Sequence, residues 1–383
     1  MMSWRVMIPT TLPSSTTGTR SNRCLDIRVA AVRAGSSGPA VTSSPSTLAT
    51  GGAPGWAVVG SGDTASGEWS PDGRTLLVLE GTTNAPDADQ RVLVTLSDGT
   101  ARRTVVGTAA IWVDSRSFLV WRAGRSYLEA IDSSTETAIV PALPLDAVSN
   151  GHGAVAASEG VRSARETFRV WTATGTSAPL SGEPVAWSGD GKELAVWHFS
   201  LQGGGTGAPA QGNLEFLAWP SLTRISASAQ IVDAAPAFFD PSGRYLAAPG
   251  PTVVDVVTGQ AVAQPGAFVD GPRHPSELVA WTAAARLVVP YLEGGAASIF
   301  DPTGSRVQNV DGQFDSASGS SGGAAVVLFN IGEATQGSAV LRAGSVLPFA
   351  LPVGVQSVYV VDTQVAVRVN TETGEAVLAA PLP

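Results

Sequence analysis

Residue types that carry common active-site chemistry are scarce in this sequence. Its single cysteine, Cys24, excludes an internal disulfide framework and a cysteine-rich zinc site. Its three histidines, His152, His198 and His274, show no paired spacing of the kind that metal sites use. We therefore predict that the chain holds no metal ion and no cofactor.

Charge is also scarce, and long hydrophobic runs are missing. Charged residues make up 14% of the chain, against about 25% in an average soluble domain, whereas hydrophobic residues reach 44%. This composition excludes a highly charged disordered protein and a coiled coil. No apolar stretch approaches the roughly 18 residues of a membrane-spanning helix, so no transmembrane span is expected.

The few charges are unevenly placed. Residues 1–55 contain five arginines and one acid, Asp26, which gives +4; since the whole chain carries −9, the remainder carries −13. An acidic body repels a phosphate backbone, so we expect no binding of nucleic acid. The stretch Ser36–Gly55 is rich in Ser, Thr, Gly and Pro, which is typical of a flexible linker.

Residues 1–55 are accordingly interpreted as a disordered tail and linker, and residues 56–383 as one domain. No apolar run of about seven to fifteen residues precedes the linker, so no secretory signal peptide is evident. An Arg-rich transit peptide and a wrongly assigned start codon stay open as alternatives for this segment.

Three segments of the remaining chain repeat one pattern: an aromatic residue, a Gly-containing turn, a basic residue five positions on and leucine seven positions on. They are Trp69–Val78, Trp187–Val196 and Phe239–Ala248. The turns form because Gly accepts positive φ and Asp bonds its own backbone. Each segment is therefore predicted to be a hairpin between two short strands.

Weaker copies extend the pattern over the whole domain. Repeats start near residues 69, 112, 149, 187, 239, 281, 320 and 359, and successive starts lie 37 to 52 residues apart. A period near 40 with aromatic and Asp-Gly signals is typical of β-propeller blades of four short strands. We therefore predict an all-β propeller with eight blades; seven stay possible, because the starts near 149 and 320 rest on spacing alone.

The ring is predicted to close through a strand from the N-terminal side. The last repeat, Val355–Pro383, supplies only three strands, and Trp56–Gly60 can provide the missing outer strand. Such closure protects strand edges. Trp69, Trp187 and Trp281 are expected to fill the core between blades, since an aromatic side chain buries about 150–250 Å² there.

The three clear repeat segments resemble the repeat of TolB-like (WD-repeat-like) β-propellers, and the resemblance extends over most of residues 56–383. It implies a propeller that mainly binds partners, often outside the bacterial cytoplasm. The same repeat also occurs in the non-catalytic propellers of some serine peptidases. No residue here matches the family's partner-binding residues.

The longer loops indicate where a partner would bind. Gly81–Gln90, Gln202–Gly212 and Pro265–Ser276 are second-to-third-strand or blade-to-blade connections, which open on one face of a propeller. The opposite face carries mainly tight turns. We expect partner contacts from polar residues of these loops, namely Asp87, Asp89, Asp270, Arg273 and His274.

Three motifs lack the context that their chemistry needs. Gly60–Ala65 imitates a dinucleotide fingerprint, but a strand rather than a helix is expected after it. Gly319–Gly323 imitates a nucleophile elbow, but we interpret it and the preceding Asp315–Ser318 as loop. Asn84, Asp87 and Asp89 offer oxygens to calcium without the full calcium-loop pattern. No catalytic residue is assigned.

A scaffold without a coherent catalytic constellation favours a non-enzymatic binding module. We expect a monomer that engages a protein or peptide partner outside the cytoplasm, in the periplasm or cell envelope. The alternatives are an enzyme with a central-channel site of glycoside hydrolase or lyase/lactonase type, an accessory propeller related to serine peptidases, and a cytoplasmic location. Several convergent acids, His or Arg in a deep pocket would favour the enzyme, and a plugged apolar channel would favour the binder.

Overall fold

The computed structural model describes residues 55–81, 90–144, 147–159, 167–200, 211–232, 236–269, 275–276, 278–292, 295–331 and 338–383. Strand β1 (Ala57–Gly62) comes first. The described residues after it form 33 further strands and one 3-10 helix, Pro265–Phe268. The predicted all-β class is confirmed.

The strands form eight antiparallel sheets, and each sheet is one blade. From the innermost strand outward, blade 1 contains β2 (Thr64–Trp69), β3 (Leu76–Gly81), β4 (Gln90–Thr95) and β5 (Ala101–Gly107), and blade 2 contains β6 (Ala109–Trp112), β7 (Ser117–Arg122), β8 (Arg125–Ala130) and β9 (Glu136–Ile139). Blade 3 contains β10 (Ala147–Ser149), β11 (Ala154–Glu159), β12 (Thr167–Thr172) and an outer strand split into β13 (Gly175–Thr176) and β14 (Leu180–Ser181). Blade 4 contains β15 (Glu183–Trp187), β16 (Glu193–Ser200), β17 (Gln211–Ala218) and an outer strand split into β18 (Thr223–Ala227) and β19 (Ile231–Val232).

Blades 5 to 8 continue the same order. Blade 5 contains β20 (Phe238–Phe239), β21 (Tyr245–Ala248), β22 (Thr252–Asp255) and β23 (Ala261–Ala263), and blade 6 contains β24 (Ala280–Trp281), β25 (Leu287–Val289), β26 (Gly295–Phe300) and β27 (Arg306–Phe314). Blade 7 contains β28 (Ser316–Gly319), β29 (Ala325–Phe329), β30 (Ala339–Arg342) and β31 (Ser345–Pro348), and blade 8 contains β32 (Val355–Val360), β33 (Gln364–Thr371), β34 (Gly374–Pro381) and β1.

Both repeats that rested on spacing alone are real blades. Strands β10 and β28 begin blades 3 and 7, so eight blades are confirmed and the seven-bladed alternative is wrong. The interpretation of Asp315–Ser318 as loop holds for Asp315 but is wrong for the three residues after it, because Ser316–Gly319 pairs with Val326–Phe329 in blade 7. Its Ser, Ala and Gly residues have weak strand propensity, and pairing with an apolar neighbour strand overrides it.

Blade 8 closes the ring as predicted. Strand β1 pairs antiparallel with β34, from Ala57 opposite Ala379 to Gly62 opposite Glu375. Trp56, just before β1, is buried and its ring lies 5.9 Å from that of Phe349. The outermost strand of the last blade therefore comes from the N-terminal side of the domain.

Tryptophans join neighbouring blades, which confirms that Trp69, Trp187 and Trp281 belong to the core. Each is buried, and its indole N–H donates to a carbonyl oxygen on the innermost strand of the preceding blade. These bonds are Trp69 to Tyr359 at 3.1 Å, Trp112 to Glu68 at 2.9 Å, Trp187 to Val148 at 3.1 Å and Trp281 to Phe238 at 2.9 Å. The first joins blade 1 to blade 8 across the closure.

Candidate functional site

The strand order gives the propeller two different faces. Connections between first and second strands, and between third and fourth strands, lie on one face, which we name the turn face. Connections between second and third strands, and from blade to blade, lie on the opposite loop face. Ligand contacts in such scaffolds come from loops that rigid strands hold in place.

Turns of different blades meet on the turn face. A Cβ atom on Gly189 of blade 4 would lie 3.3 Å from the carbonyl oxygen of Ser321 in blade 7. A Cβ atom on Gly151 of blade 3 would lie 3.0 Å from Pro71 of blade 1. Neither pair of blades is adjacent in the ring, so these turns approach each other across the propeller axis and obstruct the central channel at this face.

Exposed apolar side chains are concentrated on the loop face. Of the ten large hydrophobic residues that are exposed in the described parts of the chain, seven lie in loop-face connections or at strand ends beside them. They are Val106, Val140, Phe199, Val269, Leu292, Ile331 and Val353. Two others, Val307 and Val346, lie near the turn-face ends of outermost strands, and Val257 lies on the turn face.

Val269 and Leu292 are held by buried aromatic neighbours. The 3-10 helix Pro265–Phe268 precedes Val269, and Phe268 is fully buried against Phe300, with ring centroids 4.9 Å apart. The hydroxyl of Tyr291, also fully buried, donates to the Phe268 carbonyl at 3.3 Å. Val269 (49% exposed) and Leu292 (50% exposed) therefore follow two anchored residues directly.

The same chain of contacts continues to blade 7. The Tyr291 N–H donates to the Phe314 carbonyl at 3.3 Å, and the next residue, Asp315, accepts from the Ile331 N–H at 3.2 Å. Asn330 also donates to the Gln313 carbonyl at 2.8 Å. Val269, Leu292 and Ile331 thus form an exposed set spanning blades 5 to 7 on a fixed backbone, and we name these three residues the apolar strip.

The apolar strip escaped prediction because two of its members come just after buried strands. Leu292 and Ile331 read in the sequence as continuations of the apolar runs at 287–291 and 325–329, and only the tertiary structure shows that the core ends before them. The polar contacts that the sequence predicts, Asp87, Asp89, Asp270, Arg273 and His274, lie outside the described residues, as does Asn84.

The ends of the predicted binding loops do lie on one face. Gly81 and Gln90, Ser200 and Gln211, and Val269 and Pro275 all border loop-face connections. The described residues that border these three loops therefore lie on a common face.

The sequence motifs with catalytic letters adopt ordinary propeller structure. Gly60–Ala65 runs from β1 into β2 with no helix after it, and Gly319–Gly323 lies in the hairpin between β28 and β29. Within the described ranges, no three His, Cys, Asp or Glu side chains are grouped so as to hold a metal ion. His198 lies on β16, where its Nε2 atom is 2.8 Å from the Glu215 carboxylate.

A buried charged cluster lies away from the apolar strip, between blades 1 and 2. The Glu129 side chain is 1% exposed and accepts from Arg103, while Arg122 lies 3.5 Å from its other oxygen. Burial raises the pKa of the Glu129 carboxyl, although both guanidinium groups oppose the shift. Arg122 also lies over the Tyr127 ring, 4.2 Å from its centroid. This cluster joins two blades and offers no open coordination or reaction site.

Comparisons with known proteins show the fold. No family model matches the sequence, and no curated protein matches it. A eukaryotic initiation factor is similar in structure with a TM-score of 0.53 and 13% identity, over 84% of this chain and 87% of that one. The β-propeller domain of the Trilobed protease from Pyrococcus furiosus has a TM-score of 0.42 and 12% identity, over 60% and 80%. At such identities the likeness concerns the fold alone.

A third similar structure is the AfRom2 CNH domain, with a TM-score of 0.43 and 12% identity over 86% of this chain and 99% of that one. Among the residues that the structure describes, no helix is long and apolar enough to cross a membrane.

Proposed function

We propose that this chain is a non-enzymatic binding scaffold, a propeller of TolB-like type that engages a protein or peptide partner through its loop face. The observation that carries the proposal is the apolar strip, in which Val269, Leu292 and Ile331 are exposed on anchored backbone. Contiguous exposed apolar patches are typical of interaction sites, and we propose that these three side chains form one. Anchored neighbours lower the ordering cost of association.

The obstructed turn face supports the same choice of surface. A partner that approaches from the turn face meets tight hairpins, whereas the loop face offers apolar side chains and the longer connections. The central-channel enzyme stays an alternative without a catalytic constellation in the described residues to support it.

A pull-down with matched variants tests the proposal. The double variant Val269→Ser/Leu292→Ser removes two apolar contacts, and Val257→Ser is the control because Val257 is 59% exposed on the turn face. We expect the double variant to lose at least about tenfold in partner binding, since each buried aliphatic side chain contributes about 1.5–3 kcal/mol. Equal binding by the double variant and the control would contradict the proposal.

We further propose that Asp87, Asp89, Asp270, Arg273 and His274 contribute polar contacts around the strip. Replacement of Arg273 and His274 by Ala then changes the affinity for the same partner, measured by titration calorimetry. Changes in the turns Ser97–Thr100 and Asp301–Ser305 leave binding unaltered. The opposite pattern would place the partner on the turn face.

An extracytoplasmic location belongs to the proposal as well. Fractionation of cells that express the native locus with its upstream sequence should recover the protein outside the cytoplasm. Recovery wholly from the cytosol would reject the location without affecting the binding surface.

A further inference from the structure

The described arginines of blades 5 to 8 are concentrated on the turn face, where acids such as Asp240 and Asp301 accompany them. Four arginines of these blades lie in or beside turn-face hairpins: Arg244, Arg286, Arg306 and Arg342. Of the two others, Arg368 has a side chain only 15% exposed and lies 3.8 Å from the Glu375 carboxylate, and Arg273 lies outside the described residues. In these blades, the described loop-face residues therefore offer no exposed cation.

Acids occupy the loop face of the same blades. Asp311 is exposed toward the loop-face end of β27, Asp315 follows β27 and is partly exposed, and Glu372 is exposed in the connection from β33 to β34. Asp315 borders the apolar strip directly, because its carboxylate accepts from the Ile331 N–H at 3.2 Å. The strip is thus an apolar surface in a negative field.

This combination selects the chemistry of the partner. Apolar contacts supply affinity, whereas charges at the rim of an interface govern the choice of partner and the rate of encounter. An acidic segment would meet repulsion both from these carboxylates and from the net −13 carried by residues 56–383. A segment with Lys or Arg beside apolar side chains meets attraction on both counts.

We propose that the partner of the apolar strip is a basic amphipathic peptide segment. Its apolar side chains pack on Val269, Leu292 and Ile331, and its cationic side chains lie toward Asp311, Asp315 and Glu372. The inference rests on the proposed function, since it names the partner class for the same surface.

Three synthetic peptides of equal length and helical pattern test the inference by fluorescence anisotropy with the full chain. One combines Leu with Lys, one combines Leu with Glu, and one replaces every Leu of the first by Ser. We expect the Leu/Lys peptide to bind most tightly, and its affinity to fall as sodium chloride is raised, because rim charges are screened by salt.

Protein variants locate the binding. Leu292→Ser should weaken the Leu/Lys peptide about tenfold, as expected for loss of one buried aliphatic contact. Glu372→Gln should weaken it about twofold at low salt only, because an exposed ion pair contributes little. Val257→Ser on the turn face should leave it unchanged, and circular dichroism of every variant checks that the propeller is folded.

Several outcomes overturn the inference. Equal binding of the Leu/Glu peptide rejects the charge preference, and equal binding of the Ser/Lys peptide reduces the interaction to charge alone. Equal effects of Leu292→Ser and Val257→Ser reject the site. If no peptide binds while the pull-down partner still depends on Val269 and Leu292, the loop-face function stands and only the partner class is wrong.

Discussion

A single carboxylate at the end of β22 stabilises the folded state through its hydrogen bonds. Asp255, 4% exposed at the end of β22, accepts from Arg244 Nη2 at 2.7 Å and from the Thr258 N–H at 2.9 Å. Burial raises the pKa of this carboxyl, but the hydrogen bonds from Arg244 and Thr258 outweigh burial, and the pKa is lowered overall. The charged form of Asp255 therefore stabilises the folded state.

Asp255→Asn should lower the free energy of unfolding by about 1–2 kcal/mol at neutral pH, a modest value because Arg244 is half exposed. A folded-state pKa below the unfolded value of about 3.9 stabilises above that pH, and the gain is lost as pH falls through the folded-state pKa. Urea unfolding at several pH values should show the difference from the native chain narrowing in acid. A difference that persists undiminished in strong acid would contradict the stabilising role of the Asp255 carboxylate. Glu372→Gln, at an exposed carboxylate, is the control variant.

The hairpin turns between strands must fit the space that the neighbouring blade leaves. Gly259, in the turn from β22 to β23, has φ +71°, and a Cβ atom there would lie 2.2 Å from the Ala227 carbonyl oxygen in blade 4. Gly344, in the turn from β30 to β31, has a similar φ of +80° with nothing within 4 Å of such an atom. A comparison of the two glycines therefore separates the cost of the backbone conformation from the cost of a clash between blades.

Gly344→Ala should lower the free energy of unfolding by about 1–2 kcal/mol, which is the strain of an L-residue in the left-handed region. Gly259→Ala should cost about 1–3 kcal/mol more, because a backbone oxygen cannot move aside without shifting a strand. Chemical denaturation of both variants measures the difference. Equal losses would mean that blades 4 and 5 separate easily at this contact.

At the scale of the whole molecule, the first and last strands of the propeller meet in blade 8. Strand β1 covers β34, and two carboxylates hold the crossover into blade 1: Glu80 accepts from the Ser61 N–H at 2.8 Å, and Glu375 accepts from the Ala65 N–H at 2.8 Å. Trp56 packs into the core of the same blade. The ring should therefore unfold as a unit once this closure is lost.

Removal of residues 1–54 should leave the melting temperature unchanged, in line with the prediction that the domain starts near residue 56. Removal of residues 1–62 also deletes Trp56 and β1, and should cost at least about 3–5 kcal/mol, the typical effect of losing one buried tryptophan. The uncovered β34 edge should also promote aggregation. Calorimetry and light scattering of the two truncated chains measure these effects, and equal melting temperatures would contradict the role of β1.

Local patterns by themselves determined the architecture. The aromatic residue, the turn and the following apolar run recur within about ten residues, so each hairpin is encoded by neighbours in sequence, and the spacing of copies predicts eight blades. The missing fourth strand of the last repeat likewise predicts the closure by residues 56–60. The loop misreading at Asp315–Ser318 arose where strand propensity is weak and pairing partners decide.

Only the tertiary structure decided which surface is open. The contact of Gly189 with Ser321 joins blades three positions apart, and the exposure of Val269, Leu292 and Ile331 depends on where neighbouring blades stop covering each strand end. The concentration of the described arginines on the turn face of blades 5 to 8 arises the same way, because strand direction assigns each residue to a face. These properties depend on long-range packing, which composition and periodicity do not encode.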